Sequence, residues 1–108
     1  MRVFKIDAEK QEVTELNVEL DLKKIYELVG CDLICLGPEI GENSTFVDDE
    51  GLLKGPTHFF AVQGGRQPYA GNAVVVGPTD DEGENTDAVG TLEKIQAAVK
   101  FLGSGELK

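Results

Sequence analysis

Arg2-Val3-Phe4-Lys5-Ile6-Asp7 and Glu12-Val13-Thr14-Glu15-Leu16-Asn17-Val18-Glu19-Leu20 set out two strands, with Lys10-Gln11 as the turn between them. In the second strand Val13, Leu16, Val18 and Leu20 alternate with polar neighbours, apart from one slip in register between Val13 and Leu16. The period then changes. Asp21 is placed to accept from the free N–H groups of a first helical turn, Leu22, Ile25, Leu28 and Val29 fall on one helical face, and Gly30 ends the helix. A hairpin followed by an amphipathic helix over 21–29 predicts an α+β fold, a small and mostly antiparallel sheet with helices packed on it.

Downstream segments extend that sheet to about five or six strands. Asp32-Leu33-Ile34-Cys35-Leu36 is a nearly continuous apolar run, as expected of a central strand covered on both faces, and Gly37-Pro38 ends it. Ser44 to Asp48 reads as a further strand entering the Asp48-Asp49-Glu50-Gly51 turn. Residues 57–63 and 72–77 are the last two strands, joined as a hairpin through Gly64-Gly65-Arg66-Gln67-Pro68. Between Thr79 and Asp87 carboxylates crowd a stretch with no apolar side chain, which predicts a solvated loop. A second helix is predicted over 87–102, capped by Thr86 or Thr91, with Leu92, Ile95, Val99 and Leu102 on one face and Gly103 after it. The Gly-Pro pairs at 37, 55 and 77 are unequally spaced and act as punctuation, not as a repeat.

The 108 residues suit one domain over 1–103 with a frayed tail at 104–108. At 41% hydrophobic residues the chain is apolar enough to fold around a core. Ten basic residues against twenty acidic ones leave a formal charge of -10, which disfavours binding to a phosphate backbone. Arg2 and Arg66 are the only guanidinium groups, too few for the bidentate clamps that nucleic-acid readers use. No run approaches the length of a membrane helix, and charge interrupts Met1 to Asp7 too soon for a secretory signal, so a cytoplasmic location is expected. The Asn43-Ser44-Thr45 sequon is therefore without consequence.

No catalytic constellation, metal set or cofactor motif can be assembled. Cys31 and Cys35, if on one strand, stand about 13 Å apart, beyond disulfide reach, and are expected as buried thiols. His58 is the only imidazole, on the face of Phe60, and Ser44 and Ser104 have no nucleophile elbow around them. Asp80 to Asp87 lacks the glycine and glutamate positions of a calcium loop. Gly64 and Gly65 offer backbone amides beside a cation, so a small anion would bind at Arg66 with His58 and Asn72, although a P-loop spacing is missing.

Asp48-Asp49-Glu50-Gly51-Leu52-Leu53-Lys54-Gly55, Gly71-Asn72-Ala73-Val74-Val75-Val76-Gly77 and the helix end Tyr26-Glu27-Leu28-Val29-Gly30 resemble a small family of unknown function found in phages, plasmids and bacteria. The likeness covers roughly residues 22–77. It implies a phage or mobile-element setting and assigns no activity. Pro56-Thr57-His58-Phe59-Phe60 departs from it, reading as strand where the family has a short helical segment with an asparagine.

Two functional expectations follow. The first is an accessory protein that binds and modulates another protein, expected to be basic, through Asp48, Asp49, Glu50, Asp80, Asp81, Glu82 and Glu84. The alternative is a domain for a small anion or nucleotide-like ligand, built on the last hairpin. An enzyme ranks below both, and open strand edges leave room for a homodimer.

Overall fold

The computed structural model describes residues 1–50, 58–65 and 67–103. β1 (Arg2–Asp7) and β2 (Glu12–Asn17) pair antiparallel without interruption from Arg2↔Asn17 to Asp7↔Glu12. No bulge separates Val13 from Leu16. The two residues face opposite sides of the sheet, and because both sides are covered, Val13 joins one core and Leu16 packs on the other. β2 ends at Asn17 instead of Leu20, and Val18 and Leu20 reach the core from the link into α1 (Leu22–Val29). The caps of α1 are those the sequence signals. Asp21 accepts the Lys24 N–H at 2.8 Å, and Gly30 closes the helix in the left-handed region with φ 78°.

The remaining elements are β3 (Ile34–Leu36), β4 (Ser44–Asp48), β5 (His58–Val62), β6 (Tyr69–Ala70), β7 (Asn72–Val76), α2 (Leu92–Ala98) and β8 (Val99–Gly103). They form a five-stranded sheet in the order β2-β1-β7-β4-β3 and a three-stranded sheet in the order β6-β5-β8, with every pairing antiparallel. The fold is α+β. Its eight strands in two sheets exceed the predicted five or six, since β6 and β8 are short or hidden in other patterns.

Three placements differ from the sequence reading. The apolar run at 32–36 is not the heart of the sheet but an edge strand, with Leu33 51% and Leu36 70% exposed. An apolar run reports side chains and not neighbours, and the centre belongs to β7, where Val74, Val75 and Val76 are fully buried. Strands 57–63 and 72–77 do not form a hairpin. β5 pairs with β6, and at Gly71, φ 78°, the chain bends out of the small sheet and continues into the large one as β7. Finally, α2 starts after Thr91, whose hydroxyl accepts the Lys94 N–H, and stops at Ala98 instead of running from 87 to 102. Val99 is extended, and β8 pairs with β5 from Val62↔Val99 to His58↔Gly103. Val99 and Leu102 fit a helical stripe by spacing, but the chain uses them as strand residues opposite Val62 and Phe59.

These elements make layers. α1 covers one face of the large sheet through Ile25 and Val29 against Val3, Val74 and Val76. The small sheet and α2 cover the other, where Phe60, Val62 and Ile95 meet Phe4, Ile6, Ala73 and Val75. Among the described residues no helix is long and apolar enough to cross a membrane. The expected tail at 104–108 lies outside the described residues.

Candidate functional site

The register of β7 places the acidic residues. Val76 lies opposite Ser44 and Ala73 opposite Val47, so the turn after Asp48 leaves one end of the sheet and the loop after Val76 leaves the other. The length of β7 alone separates them by about 13 Å. The two acidic sets therefore do not form one patch.

Each set is held by its own hydrogen bonds. At the first, the Glu50 N–H donates to Asp48 Oδ1 at 2.9 Å and the Asp49 N–H to the Leu33 carbonyl at 3.0 Å, leaving the Asp49 and Glu50 side chains exposed. At the second, Asp80 Oδ1 accepts from the N–H groups of Glu82 at 2.9 Å and Glu84 at 3.0 Å, and the Asp80 N–H donates to the Glu84 carbonyl at 2.7 Å. Asp80 organises this loop, while Asp81, Glu82 and Glu84 project into solvent. Its base is closed by Gly77 and Thr86. The Gly77 N–H donates to the Thr86 carbonyl, the Thr86 hydroxyl donates to the Pro78 carbonyl at 2.7 Å, and a Cβ on Gly77 would sit 2.0 Å from the Asp87 carbonyl oxygen.

Of the residues expected to hold an anion, His58 and Asn72 are described. His58 opens β5 and Asn72 opens β7, and they meet through the Gly71 N–H, which donates to the His58 carbonyl at 3.1 Å. Arg66 lies outside the described residues. Gly64 and Gly65 follow the opposite end of β5, beside a cleft of about 760 Å³ whose walls include Glu39, Gln63, Gln67 and Tyr69. Neither His58 nor Asn72 lines that cleft. Among the described residues the charged side chain on its wall is Glu39, and the Gly65 N–H is taken up by the Val62 carbonyl at 2.8 Å.

The cysteines do not share a strand. Cys31 precedes β3 and donates to the Leu33 carbonyl at 3.2 Å, whereas Cys35 lies within β3 and packs against the second core. Both are half-buried instead of fully buried, because β3 is an edge. Burial pushes the Cys35 thiol above its usual value, and a hydrogen bond to Asp49 with the charges of Asp49 and Asp48 adds to the effect. Among the described residues no group of three or more His, Cys, Asp or Glu side chains converges to hold a metal ion.

The chain matches the family described as Domain of unknown function (DUF3846) over residues 1–100. It belongs to that family. No curated protein and no solved structure matches it. The DUF3846 match extends well beyond the stretch that carries the sequence resemblance, reaching both α2 and the first hairpin. The part of the acidic-glycine motif from Gly51 to Gly55 lies outside the described residues.

Two side chains with no local signature hold this DUF3846 fold together. Arg2 donates from Nε to Glu15 at 2.9 Å, from Nη1 to the Ala88 carbonyl at 2.8 Å and from Nη2 to the Gly90 carbonyl at 2.5 Å. Its guanidinium also lies 4.8 Å from the centre of the Phe4 ring. Asn43, 2% exposed, holds both polar groups of the Val89 peptide with its carboxamide. That amide nitrogen is engaged and buried, which closes the sequon to modification in the folded chain. Arg2 and Asn43 together bind residues 88–90 to the sheet, and only long-range geometry reveals it.

Proposed function

We propose that this protein is a small acidic accessory protein, of the kind carried by phages and other mobile elements, that binds another protein in the cytoplasm and modulates it. One observation carries the reading. Residues 31–50 hold six carboxylates, Asp32, Glu39, Glu42, Asp48, Asp49 and Glu50, and no Lys, Arg or His. All but Asp48 are exposed. A lobe of one sign on a rigid sheet attracts a basic surface over a Debye length, speeding association and rejecting acidic partners. The same charge argues against direct contact with a nucleic-acid backbone.

The small-anion reading has less behind it. Among the described residues the cleft beside Gly64 and Gly65 carries one charge, that of Glu39, which repels an anion, and His58 and Asn72 do not line it.

The test immobilises the full chain and presents a panel of cationic and neutral proteins in low and high salt. Two variants accompany it, Asp49→Lys/Glu50→Lys and Asp81→Lys/Glu82→Lys/Glu84→Lys. Selective capture of cationic proteins, lost at high salt and in the first variant, is the expected result. Capture indifferent to salt and to both variants would overturn the reading.

A further inference from the structure

The two edges of the large sheet are treated differently. Along β2 the outward carbonyl of Val13 accepts from Gln96 Nε2 at 3.3 Å, so a side chain of α2 engages that edge. Along β3 the bonds to β4 run from the Asp49 N–H to the Leu33 carbonyl and from the Gly37 N–H to the Thr45 carbonyl. In an antiparallel ladder bonding residues alternate, so Leu33, Cys35 and Gly37 turn their peptide groups to β4, and Ile34 and Leu36 turn theirs outward. Among the described residues no strand or helix lies against that side.

Edges left open are usually blunted by a lysine, a proline or extreme shortness. β3 is short and Pro38 follows it, but residues 31–50 hold no lysine to guard it, and Leu33 before it and Leu36 at its end are 51% and 70% exposed. Ile34 and Leu36 share the α1 face of the sheet with Phe46, and α1 covers Ile34 while leaving Leu36 uncovered. Among the described residues 31–50, which carry this edge, every charged side chain is acidic, from Asp32, Asp49 and Glu50 at one end to Glu39 and Glu42 at the other.

We propose that the β3 edge is a docking site for an extended basic segment of another protein, added as a sixth strand. This rests on the reading of the chain as an acidic binding protein and names the surface and the partner's form. Ile34 and Leu36 supply the backbone bonds, Leu36 takes an apolar side chain of the incoming strand, and the carboxylates at both ends take its lysines or arginines. A second copy of this chain fits poorly, because antiparallel pairing of two β3 strands brings the Asp32, Asp49 and Glu50 end of each against the Glu39 and Glu42 end of the other.

The probe is a fluorescent ten-residue peptide of alternating valine and lysine, with a version N-methylated at alternate residues that keeps the charge and loses the strand donors. Wild-type protein binds the first peptide at low salt, and the Ile34 and Leu36 amides become protected from hydrogen exchange. The Leu36→Pro variant removes a donor that faces outward, not one that bonds β4, and weakens binding about tenfold or more, the equivalent of one to two lost hydrogen bonds. Leu36→Lys keeps the backbone intact and weakens binding by repulsion, which covers the case in which the proline variant fails to fold. If both peptides bind alike and neither amide is protected, the edge inference falls, and loss of that binding in Asp49→Lys/Glu50→Lys leaves the acidic-surface reading standing. Absence of binding by either peptide overturns both. Protection of the two amides in the protein alone, with a sedimenting dimer that Leu36→Pro dissolves, assigns the edge to a second copy and overturns the partner named here.

Discussion

Asn43 and Val89 hold each other through two hydrogen bonds, Nδ2 donating to the Val89 carbonyl at 2.8 Å and the Val89 N–H donating to Oδ1 at 2.7 Å. The side chain completes for Val89 what a neighbouring strand would otherwise supply. Asn43→Ala leaves both peptide groups without their partner and should destabilise the protein by about 2 kcal/mol in urea unfolding. Asn43→Asp keeps an acceptor for the N–H but cannot donate, so it should fall between the two.

Gly77 admits no side chain, since its Cβ would stand 2.0 Å from the Asp87 carbonyl oxygen and 2.6 Å from that of Thr86. Both obstacles are backbone. Gly77→Ala should cost roughly 3 kcal/mol or more, among the larger effects a single methyl produces. By contrast Gly90→Ala meets nothing within 4 Å and suffers only from its φ of 99°. Thermal unfolding of the two variants side by side checks the order.

Arg2 uses three separate nitrogens of its fork at once, which a lysine ammonium on a flexible stem does not reproduce. Arg2→Lys and Arg2→Ala should therefore behave alike, each losing about 1–2 kcal/mol. Faster hydrogen exchange at Ala88, whose N–H donates to the Arg2 carbonyl at 2.8 Å, is the local readout. Retention of full stability in Arg2→Lys would mean that charge, not the fork, does the holding.

Cys35 has a thiol held protonated by burial and by the carboxylate of Asp49. It should react with iodoacetamide near pH 8 more slowly than glutathione does, and Asp49→Asn should speed it. The sign for stability follows from the raised value. The folded chain keeps the thiol proton more tightly than the unfolded chain, so this contribution is present at lower pH and fades as pH rises past the ordinary thiol value of about 8.5. The stability difference between wild type and Cys35→Ser, measured from pH 7 upward, should shrink or reverse accordingly.

What the sequence discloses depends on whether the deciding partner is near. Asp21 and Gly30 mark the ends of α1 because a cap acts on residues a turn away. The β1–β2 hairpin is legible for the same reason. Thr91 is a good cap by local chemistry, yet nothing local tells Val99 to leave the helix. Its strand partner is Val62, far back in the chain, and Ala98 to Leu102 carry no glycine or proline to announce the change. Likewise Leu33 to Leu36 look like a core strand until the sheet order puts them at the rim. The acidic turns were visible in composition, but their position at opposite ends of β7 follows from register alone.

The junction of α2 and β8 has no linker, since Val99 is both the cap of the helix and the first residue of the strand. Removing one residue there would rotate every following side chain to the other side of the small sheet, exchanging Phe101 with Leu102 beneath Phe60. The loop at 81–84 is exposed and packs no core residue, so a change of length there disturbs only the hydrogen bonds around Asp80. For this chain, then, tolerance to changes of length is uneven along the sequence, and among its relatives insertions should collect in that loop and avoid the step from Ala98 to Val99.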